Sequence, residues 1–361
     1  MKFIHCSDIH LGAEPEAGKP WAEARKSEVW DTFGRILAMC RKENADLLII
    51  SGDLFDRQPS GSELRLVNEM FASLGKIRVV LMAASSDYIS PRSNYRSFKW
   101  NENVVMLSDS EPMEIYLYGI DTTVYGFSYY ESELTTQSYR DLYPKKSSGL
   151  HILLAYGGAE GGSSVSLERL SQAGFDYVAM GQSHNMKKIN ENMYYPGSPE
   201  PLDRTETGEH GVIVGEFGYE RGEYKLNTRF VPMAGKKYIE LHVRIRPEDS
   251  NASVLKKVTA EMLEQGAGNL YIIMLEGIRR AGLTIDIAAI AAKGMVTEVT
   301  DNTVIDINYE ELFEDNKDNV LGQFMERLSH LDEDEGLKDR ALYYGVEALL
   351  AAGTYPAKKT D

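Results

Sequence analysis

Four residues of types that bind metal ions stand where hydrophobic segments of this chain end. Asp8 and His10 follow the segment KFIHC with i, i+2 spacing, Asp53 follows the run LLIISG, and His184 comes shortly after YVAM. Carboxylate and imidazole ligands together suit manganese, iron or zinc. A single Asp after a strand is usually a turn residue or a helix cap. Four such positions in one chain are harder to attribute to chance, so the pattern indicates a metal site.

The hydrophobic pattern around these residues predicts strands that alternate with helices. Residues 23–43 and 62–74 have helical periodicity, whereas DLLIIS is hydrophobic on both faces, as is typical of a central strand. In an α/β sheet the carboxyl ends of the strands converge on one crevice. We therefore expect Asp8, Asp53 and His184 to meet there, although they are far apart in the sequence.

The rest of the chain predicts a second sheet and two further regions. Short alternating runs in residues 104–127 favour an antiparallel sheet. With the first sheet, this predicts an α/β fold in which two sheets are flanked by helices over residues 1–235. Residues 236–303 alternate strands and helices as a small α+β capping domain, and residues 304–361 are acidic and helical. The hydrophobic stripe of the last helix is expected to pack on the protein itself or on a partner's helices. Its members are Leu342, Val346, Leu349 and Leu350.

Composition narrows the functional classes. The chain has 361 residues, 43% of them hydrophobic and 26% charged, with a formal net charge of −16. That charge argues against broad adhesion to nucleic acid or anionic membrane but leaves a local basic groove open. No hydrophobic run reaches the roughly 18 residues of a membrane span, and Met1 leads straight into a strand-like segment, so a cytoplasmic protein without membrane contact is expected. The two cysteines, Cys6 and Cys40, are expected to be buried thiols.

Three sequence stretches resemble a known family. SDIHLG (residues 7–12) and SGDLFDR (residues 51–57) resemble the first two signatures of calcineurin-like metallophosphoesterases, and more closely those of SbcD-type DNA repair nucleases. YYPGSPEPLDRTETGEHG (residues 194–211) is similar to the segment after that subgroup's last metal motif. The resemblance implies an αββα metallophosphoesterase sandwich with a capping domain. It also implies C-terminal helices that bind an SbcC-like coiled-coil ATPase, action on DNA within such a complex, and a possible homodimer.

The resemblance also implies a two-metal site, of which this chain keeps one half. The family's ligands for the first ion fall on Asp8, His10, Asp53 and His184, and all four are present. The family's bridging carboxylate, which holds both ions, falls on Asp53. These residues predict one bound divalent ion, preferably manganese, with iron or zinc as alternatives.

The other half of the implied site is replaced. Three ligand positions of the second ion fall on Ser85, Tyr156 and Gln182, and the family's catalytic histidine falls on Ser86. Neutral hydroxyl, phenol and amide oxygens bind a divalent ion more weakly than imidazole does. Ser86 does not titrate near neutral pH and cannot replace a histidine as general acid.

These losses lead to three hypotheses. The first is an SbcD-like protein that is catalytically impaired and acts as a structural subunit with the ATPase on DNA. The second is an active hydrolase that uses one metal ion to cleave DNA or a small phosphodiester. The third is an interaction module without metal, which would leave Asp8 and Asp53 as neighbouring like charges without a cation, at a cost in stability.

Overall fold

A computed structural model of the chain describes residues 1–133, 139, 141–145, 148–158, 165–220, 222–280 and 282–352. These residues form two compact units. The first comprises Met1–Ile239 and Gly268–Leu270, and the second comprises Glu240–Ala267 and the described chain from Tyr271 onward. The predicted domain boundaries at residues 235 and 303 stay predictions.

The first unit contains two six-stranded sheets and three α-helices. Its strands, in chain order, are β1 (Lys2–Cys6), β2 (Leu47–Ser51), β3 (Arg78–Met82), β4 (Val104–Met106), β5 (Met113–Leu117), β6 (Thr122–Gly126), β7 (Leu150–Tyr156), β8 (Tyr177–Gly181), β9 (Lys187–Asn190), β10 (Met193–Tyr195), β11 (Gly211–Glu220) and β12 (Glu223–Pro232). Its helices are α1 (Ala22–Lys42), α2 (Gly61–Ala72) and α3 (Leu167–Gln172). The first sheet has the order β12-β11-β1-β2-β3-β4, and the second β5-β6-β7-β8-β10-β9. The predicted two-sheet α/β sandwich is confirmed.

Alternate residues of the central strands face two different hydrophobic layers. Phe3 and Ile49 point between the sheets, where they join Ile152 of β7. Ile4 and Ile50 point to the other side, where they pack with residues of α1 and α2. Burial on both faces explains why β1 and β2 are continuous hydrophobic runs, and it fixes the strand ends that carry the polar residues.

Helices α1 and α2 match the predicted helices closely. The buried positions of α1 recur every three or four residues: Val29, Phe33, Ile36, Leu37 and Cys40. Helix α2 begins with a capping box, because the Ser60 side chain accepts a hydrogen bond from the Glu63 N–H and the Glu63 carboxylate accepts one from the Ser60 N–H. Cys6 and Cys40 are free and buried, as predicted.

The expected antiparallel arrangement of residues 104–127 is only partly right. β5 and β6 pair antiparallel in the second sheet, but β4 pairs parallel with β3 in the first sheet. Within the second sheet, β6, β7 and β8 are parallel neighbours. A three-residue strand such as β4 carries too little pattern to specify its partner, which is decided by tertiary packing.

The second unit is built on a three-stranded sheet with the order β13 (Tyr238–Ile245), β14 (Leu270–Arg280) and β15 (Met295–Asp306). Its helices are α4 (Asn251–Gln265), α5 (Ile287–Ala291), α6 (Tyr309–Asn316), α7 (Val320–Ser329) and α8 (Glu335–Ala351). Val346 of α8 is fully buried against Leu321 and Met325 of α7, and Leu342, Leu349 and Leu350 pack on this cluster. The predicted stripe therefore packs on the protein itself. None of the described helices is long and hydrophobic enough to cross a membrane.

Candidate metal centre

Three of the four predicted ligands follow β1 and β2, the two parallel strands at the centre of the first sheet. Asp8, His10 and Asp53 all adopt left-handed backbone conformations, with φ of 51°, 51° and 46°. Non-glycine residues rarely adopt this conformation, which costs of order 1–3 kcal/mol and concentrates at functional sites. Two backbone hydrogen bonds hold the strained loops together, from Asp8 N–H to Gly52 O and from His10 N–H to Asp53 O, each 3.1 Å.

Asp8, His10 and His184 form a cluster that fits a metal ion. Each offers a ligand atom, and these atoms lie within 4.8 Å of one another. The two imidazole rings have centroids 5.0 Å apart, and His184 Nε2 lies 4.0 Å from Asp8 Oδ1. Asp53 Oδ2 lies 3.8 Å from His10 Nε2. The structure therefore brings together all four residues predicted for the first ion.

One atom of this cluster argues directly for a cation. His10 Nε2 is buried and has no hydrogen-bond partner within the part of the chain that the structure describes. A buried polar atom without a partner costs free energy, of order 1–3 kcal/mol. A divalent ion between His10, Asp8 and His184 would satisfy that nitrogen and neutralise the buried carboxylates.

The far nitrogen of each histidine is held by a carboxylate that the sequence analysis did not single out. His10 Nδ1 lies 3.1 Å from Asp56 Oδ1, and His184 Nδ1 lies 2.7 Å from Glu206 Oε1. Metal-binding histidines commonly have such a partner, which fixes the ring with its other nitrogen toward the ion. Asp56 lies in SGDLFDR and Glu206 in the ETGEHG stretch, so both were inside motifs already noted.

The charges of the cluster shift its pKa values. Burial raises the pKa of Asp8, and the nearby carboxylate of Asp53 adds to this effect. Burial alone would lower the pKa of His184, but the hydrogen bond to Glu206 and the charges of Asp8 and Asp53 outweigh it and raise the pKa to about 9. A divalent ion and a proton on His184 would therefore compete to supply the positive charge.

Hydroxyl groups surround Asp53 on the side predicted for the second ion. Its Oδ2 accepts hydrogen bonds from Ser85 Oγ at 2.9 Å, Ser86 Oγ at 3.1 Å and Tyr156 OH at 2.6 Å. Its Oδ1 accepts one from the Ser86 N–H at 2.9 Å. Gln182 lies nearby, where its backbone N–H donates to both oxygens of Asp8, at 3.2 and 3.1 Å. The structure thus gathers Ser85, Ser86, Tyr156 and Gln182 around the two carboxylates.

The ring of Tyr156 fits where two glycines leave room. A Cβ at Gly52 would lie 2.5 Å from Tyr156 Cδ2, and one at Gly181 would lie 2.8 Å from the same atom. Tyr156 itself is 3% exposed. Since Gly52 also has φ of 105°, any other residue there would be strained as well as crowded.

Asp87, the last residue of the polar stretch after β3, supports the loop and does not face the cluster. Its Oδ1 accepts the Ala84 N–H at 2.9 Å, and its Oδ2 accepts the Phe55 N–H at 3.3 Å and the Tyr95 hydroxyl at 2.8 Å. Burial, followed by the charge of Asp53, raises the pKa of Asp87 to about 7.

Comparison with known proteins agrees with this geometry. The family model for calcineurin-like phosphoesterases matches residues 1–186. The chain belongs to this family. It is 25% identical to the DNA double-strand break repair protein Mre11 of Methanopyrus kandleri over 86% of this chain and 82% of that protein. It is 22% identical to Mre11 of Saccharolobus solfataricus over 73% and 69%. It is 27% identical to the D component of the nuclease SbcCD of Staphylococcus epidermidis over 67% and 72%. The predicted kinship with metallophosphoesterases of DNA repair is confirmed.

Proposed function

We propose that this protein is an impaired homologue of the DNA repair nucleases, with one divalent ion and little or no nuclease activity. The observation that carries the proposal is the environment of Asp53. Its Oδ2 accepts three hydroxyl hydrogen bonds, from Ser85, Ser86 and Tyr156, on the side where a second ion would bind. Those hydroxyls supply neutral, weak donors in place of metal ligands.

The first half of the site remains suited to an ion. Asp8, His10, His184 and Asp53 would hold it, and manganese suits this mixture of oxygen and nitrogen ligands, with iron or zinc as alternatives. A bound ion would act as a Lewis acid toward a phosphoryl oxygen and lower the pKa of a coordinated water. Asp56 and Glu206 orient the two imidazoles, and Ser7 Oγ together with the Gln182 N–H hydrogen-bonds Asp8.

Loss of the second ion and of an acid-base group should slow hydrolysis severely. Each 1.36 kcal/mol of lost transition-state stabilisation is about a tenfold loss in rate. Ser86 donates its hydroxyl to Asp53 and offers no imidazole for proton transfer. Several kcal/mol of lost stabilisation would leave cleavage too slow to be the protein's main role.

The role that remains is structural. One relative is named as a component of the nuclease SbcCD, so we propose that this chain pairs with an SbcC-like coiled-coil ATPase and forms a homodimer in that complex. The net charge of −16 makes extensive DNA binding by this chain alone unfavourable, so contact with DNA would occur mainly within the complex. The cytoplasm is the compartment we propose.

A manganese-dependent nuclease assay tests the proposal. The full-length protein is incubated with duplex and single-stranded DNA, with and without the ATPase, beside the variant Asp53→Asn. We expect no cleavage above that of Asp53→Asn. Robust cleavage that Asp53→Asn abolishes would overturn the proposal. A quadruple variant, Ser85→Asn, Ser86→His, Tyr156→His and Gln182→His, is expected to bind two ions and gain activity.

A second candidate is an active hydrolase that uses a single ion. The buried, partnerless His10 Nε2 within the described part of the intact cluster favours it, because the site is prepared for a cation whether or not catalysis survives. Its substrate would be DNA or a small phosphodiester. One tightly bound ion by metal analysis, together with phosphodiester turnover that falls in His184→Ala, would support this candidate over the first.

A further inference from the structure

Glu206 is linked to His184 by a short hydrogen bond that leaves the other ring nitrogen facing the cluster. Glu206 Oε1 lies 2.7 Å from His184 Nδ1, while His184 Nε2 lies 4.0 Å from Asp8 Oδ1. We infer that Glu206 is a positioning residue that fixes the His184 ring and thereby sets the affinity of the site for its ion. The inference rests on the proposed single-metal function.

His184 needs such an anchor more than His10 does. The side chain of His184 is 29% exposed, whereas that of His10 is 8% exposed. Packing therefore holds the ring of His10 on most sides but leaves His184 free to rotate toward solvent. A carboxylate on Nδ1 fixes both the orientation of the ring and the proton on that nitrogen, and it raises the basicity of Nε2 as a ligand.

Glu206 is itself held in place by several hydrogen bonds. Its other oxygen, Oε2, accepts hydrogen bonds from Ser198 Oγ at 3.1 Å and from the Leu202 N–H at 2.9 Å. The imidazole of His210 lies 3.0 Å from the carbonyl oxygen of Glu206 through Nε2, and 3.0 Å from Ser198 Oγ through Nδ1. Because Glu206 is buried and both of its carboxylate oxygens are engaged, it is available to orient the ligand but not to join the ion.

The same segment ties back to His184 through the backbone. The Ser198 N–H donates to the His184 carbonyl oxygen at 3.0 Å, and the Met233 N–H donates to the His210 carbonyl oxygen at 2.8 Å. The segment from Ser198 to His210 thus forms a hydrogen-bonded support beside His184. This gives a physical role to the ETGEHG stretch, which contributes no atom to the metal cluster of the described residues.

The test compares Glu206→Gln and Glu206→Ala with Glu209→Gln. Glu209 is an exposed carboxylate of the same turn whose side chain pairs with Lys237, so it serves as the matched control. Mn²⁺ affinity is measured by titration calorimetry on the full chain. We expect a loss of roughly 10-fold in Glu206→Gln, which keeps a neutral acceptor, and up to about 100-fold in Glu206→Ala. Glu209→Gln should bind like the unmodified protein. Equal affinities in all four proteins would overturn the inference.

A second measurement does not depend on metal binding. In ¹H–¹⁵N spectra of the metal-free protein, the Nδ1 proton of His184 should be protected from exchange with water by Glu206, and this signal should vanish in Glu206→Ala. A protected signal that persists in Glu206→Ala, or its absence from the unmodified protein, would overturn the inference. If the unmodified protein binds no Mn²⁺ while the protected proton behaves as expected, the proposed single-metal function fails but the positioning role of Glu206 stands. Thermal unfolding of each variant verifies that it is folded.

Discussion

The Tyr156 hydroxyl lies 2.6 Å from Asp53 Oδ2, although the two residues are 103 positions apart in the chain. Tyr156 ends β7 and Asp53 follows β2, so the contact joins the two sheets at the edge where the metal cluster lies. Ser85 Oγ is 3.0 Å from the same tyrosine oxygen and 2.9 Å from Asp53 Oδ2. The half-site predicted for a second ion is thus closed by a hydrogen-bonded group of hydroxyls.

Removal of the Tyr156 hydroxyl should destabilise the metal-free protein. In Tyr156→Phe the Asp53 carboxylate loses a buried donor, and hydrogen bonds to charged groups contribute about 2 kcal/mol. Urea unfolding in the presence of a chelator should show a loss of that size. Tyr118→Phe is the control, because Tyr118 is 87% exposed, and it should unfold like the unmodified protein. Equal stabilities of Tyr156→Phe and Tyr118→Phe would contradict a closed hydroxyl group around Asp53.

Manganese should stabilise the folded protein through the Asp8, His10 and His184 cluster. An ion that binds only the folded state stabilises it by about 2.7 kcal/mol at 100 times its Kd. Thermal unfolding with and without Mn²⁺ should therefore show a rise in Tm that His10→Ala abolishes. His242→Ala is the control, since His242 is exposed and pairs with Glu240 and Glu276 outside the cluster. A rise of the same size in His10→Ala would show that Mn²⁺ binds elsewhere.

The sequence was sufficient to predict which ligands meet. Asp8, Asp53 and His184 follow hydrophobic runs, and the geometry of a parallel sheet brings such strand ends together. Asp56 and Glu206 were not predicted because their contacts depend on loop conformation. Asp56 reaches His10 only because His10 and Asp53 adopt left-handed conformations, and Glu206 reaches His184 only after the chain has passed through β9 and β10. Neither condition leaves a periodic pattern in the sequence.

Glu200 should be important for stability without touching the metal cluster. Its carboxylate is 2% exposed and lies 3.3 Å from the fully buried Arg25 guanidinium, which also donates to the Pro201 carbonyl oxygen at 2.6 Å. Glu200 Oε1 accepts the Gly235 N–H at 2.8 Å. Removal of one partner from a buried ion pair leaves an uncompensated charge and costs of order 3 kcal/mol. Glu200→Ala should lose about that much in urea unfolding.

The control for Glu200→Ala is Glu43→Ala, at the end of α1. Glu43 forms ion pairs with Lys2 and Arg229, but its side chain is 24% exposed and the Arg229 side chain is 52% exposed. Surface pairs contribute at most about 1 kcal/mol. If Glu43→Ala destabilised the protein as much as Glu200→Ala, burial of the Arg25 pair would not be the reason for the loss.

His5 should make the protein less stable as the pH falls below neutrality. The residue is fully buried between Tyr177 OH at 2.9 Å and Ser51 Oγ at 2.8 Å, and burial lowers its pKa from 6.5 to about 3. Between these two values the unfolded chain binds a proton that the folded chain does not. The free energy of unfolding therefore falls as the pH drops from 6.5 toward 3, by up to about 1.4 kcal/mol per pH unit.

His5→Gln isolates this effect, because glutamine supplies a donor and an acceptor but does not titrate. The stability advantage of the unmodified protein over His5→Gln should shrink by roughly 2–3 kcal/mol between about pH 7.5 and 4.5, as measured by urea unfolding at each pH. His330→Gln, at an exposed position after α7, is the control for substitution of a histidine as such. A stability difference between the unmodified protein and His5→Gln that stays constant over this range would show that the folded protein accepts a proton on His5. In that case burial of the imidazole between Tyr177 and Ser51 would not keep it neutral.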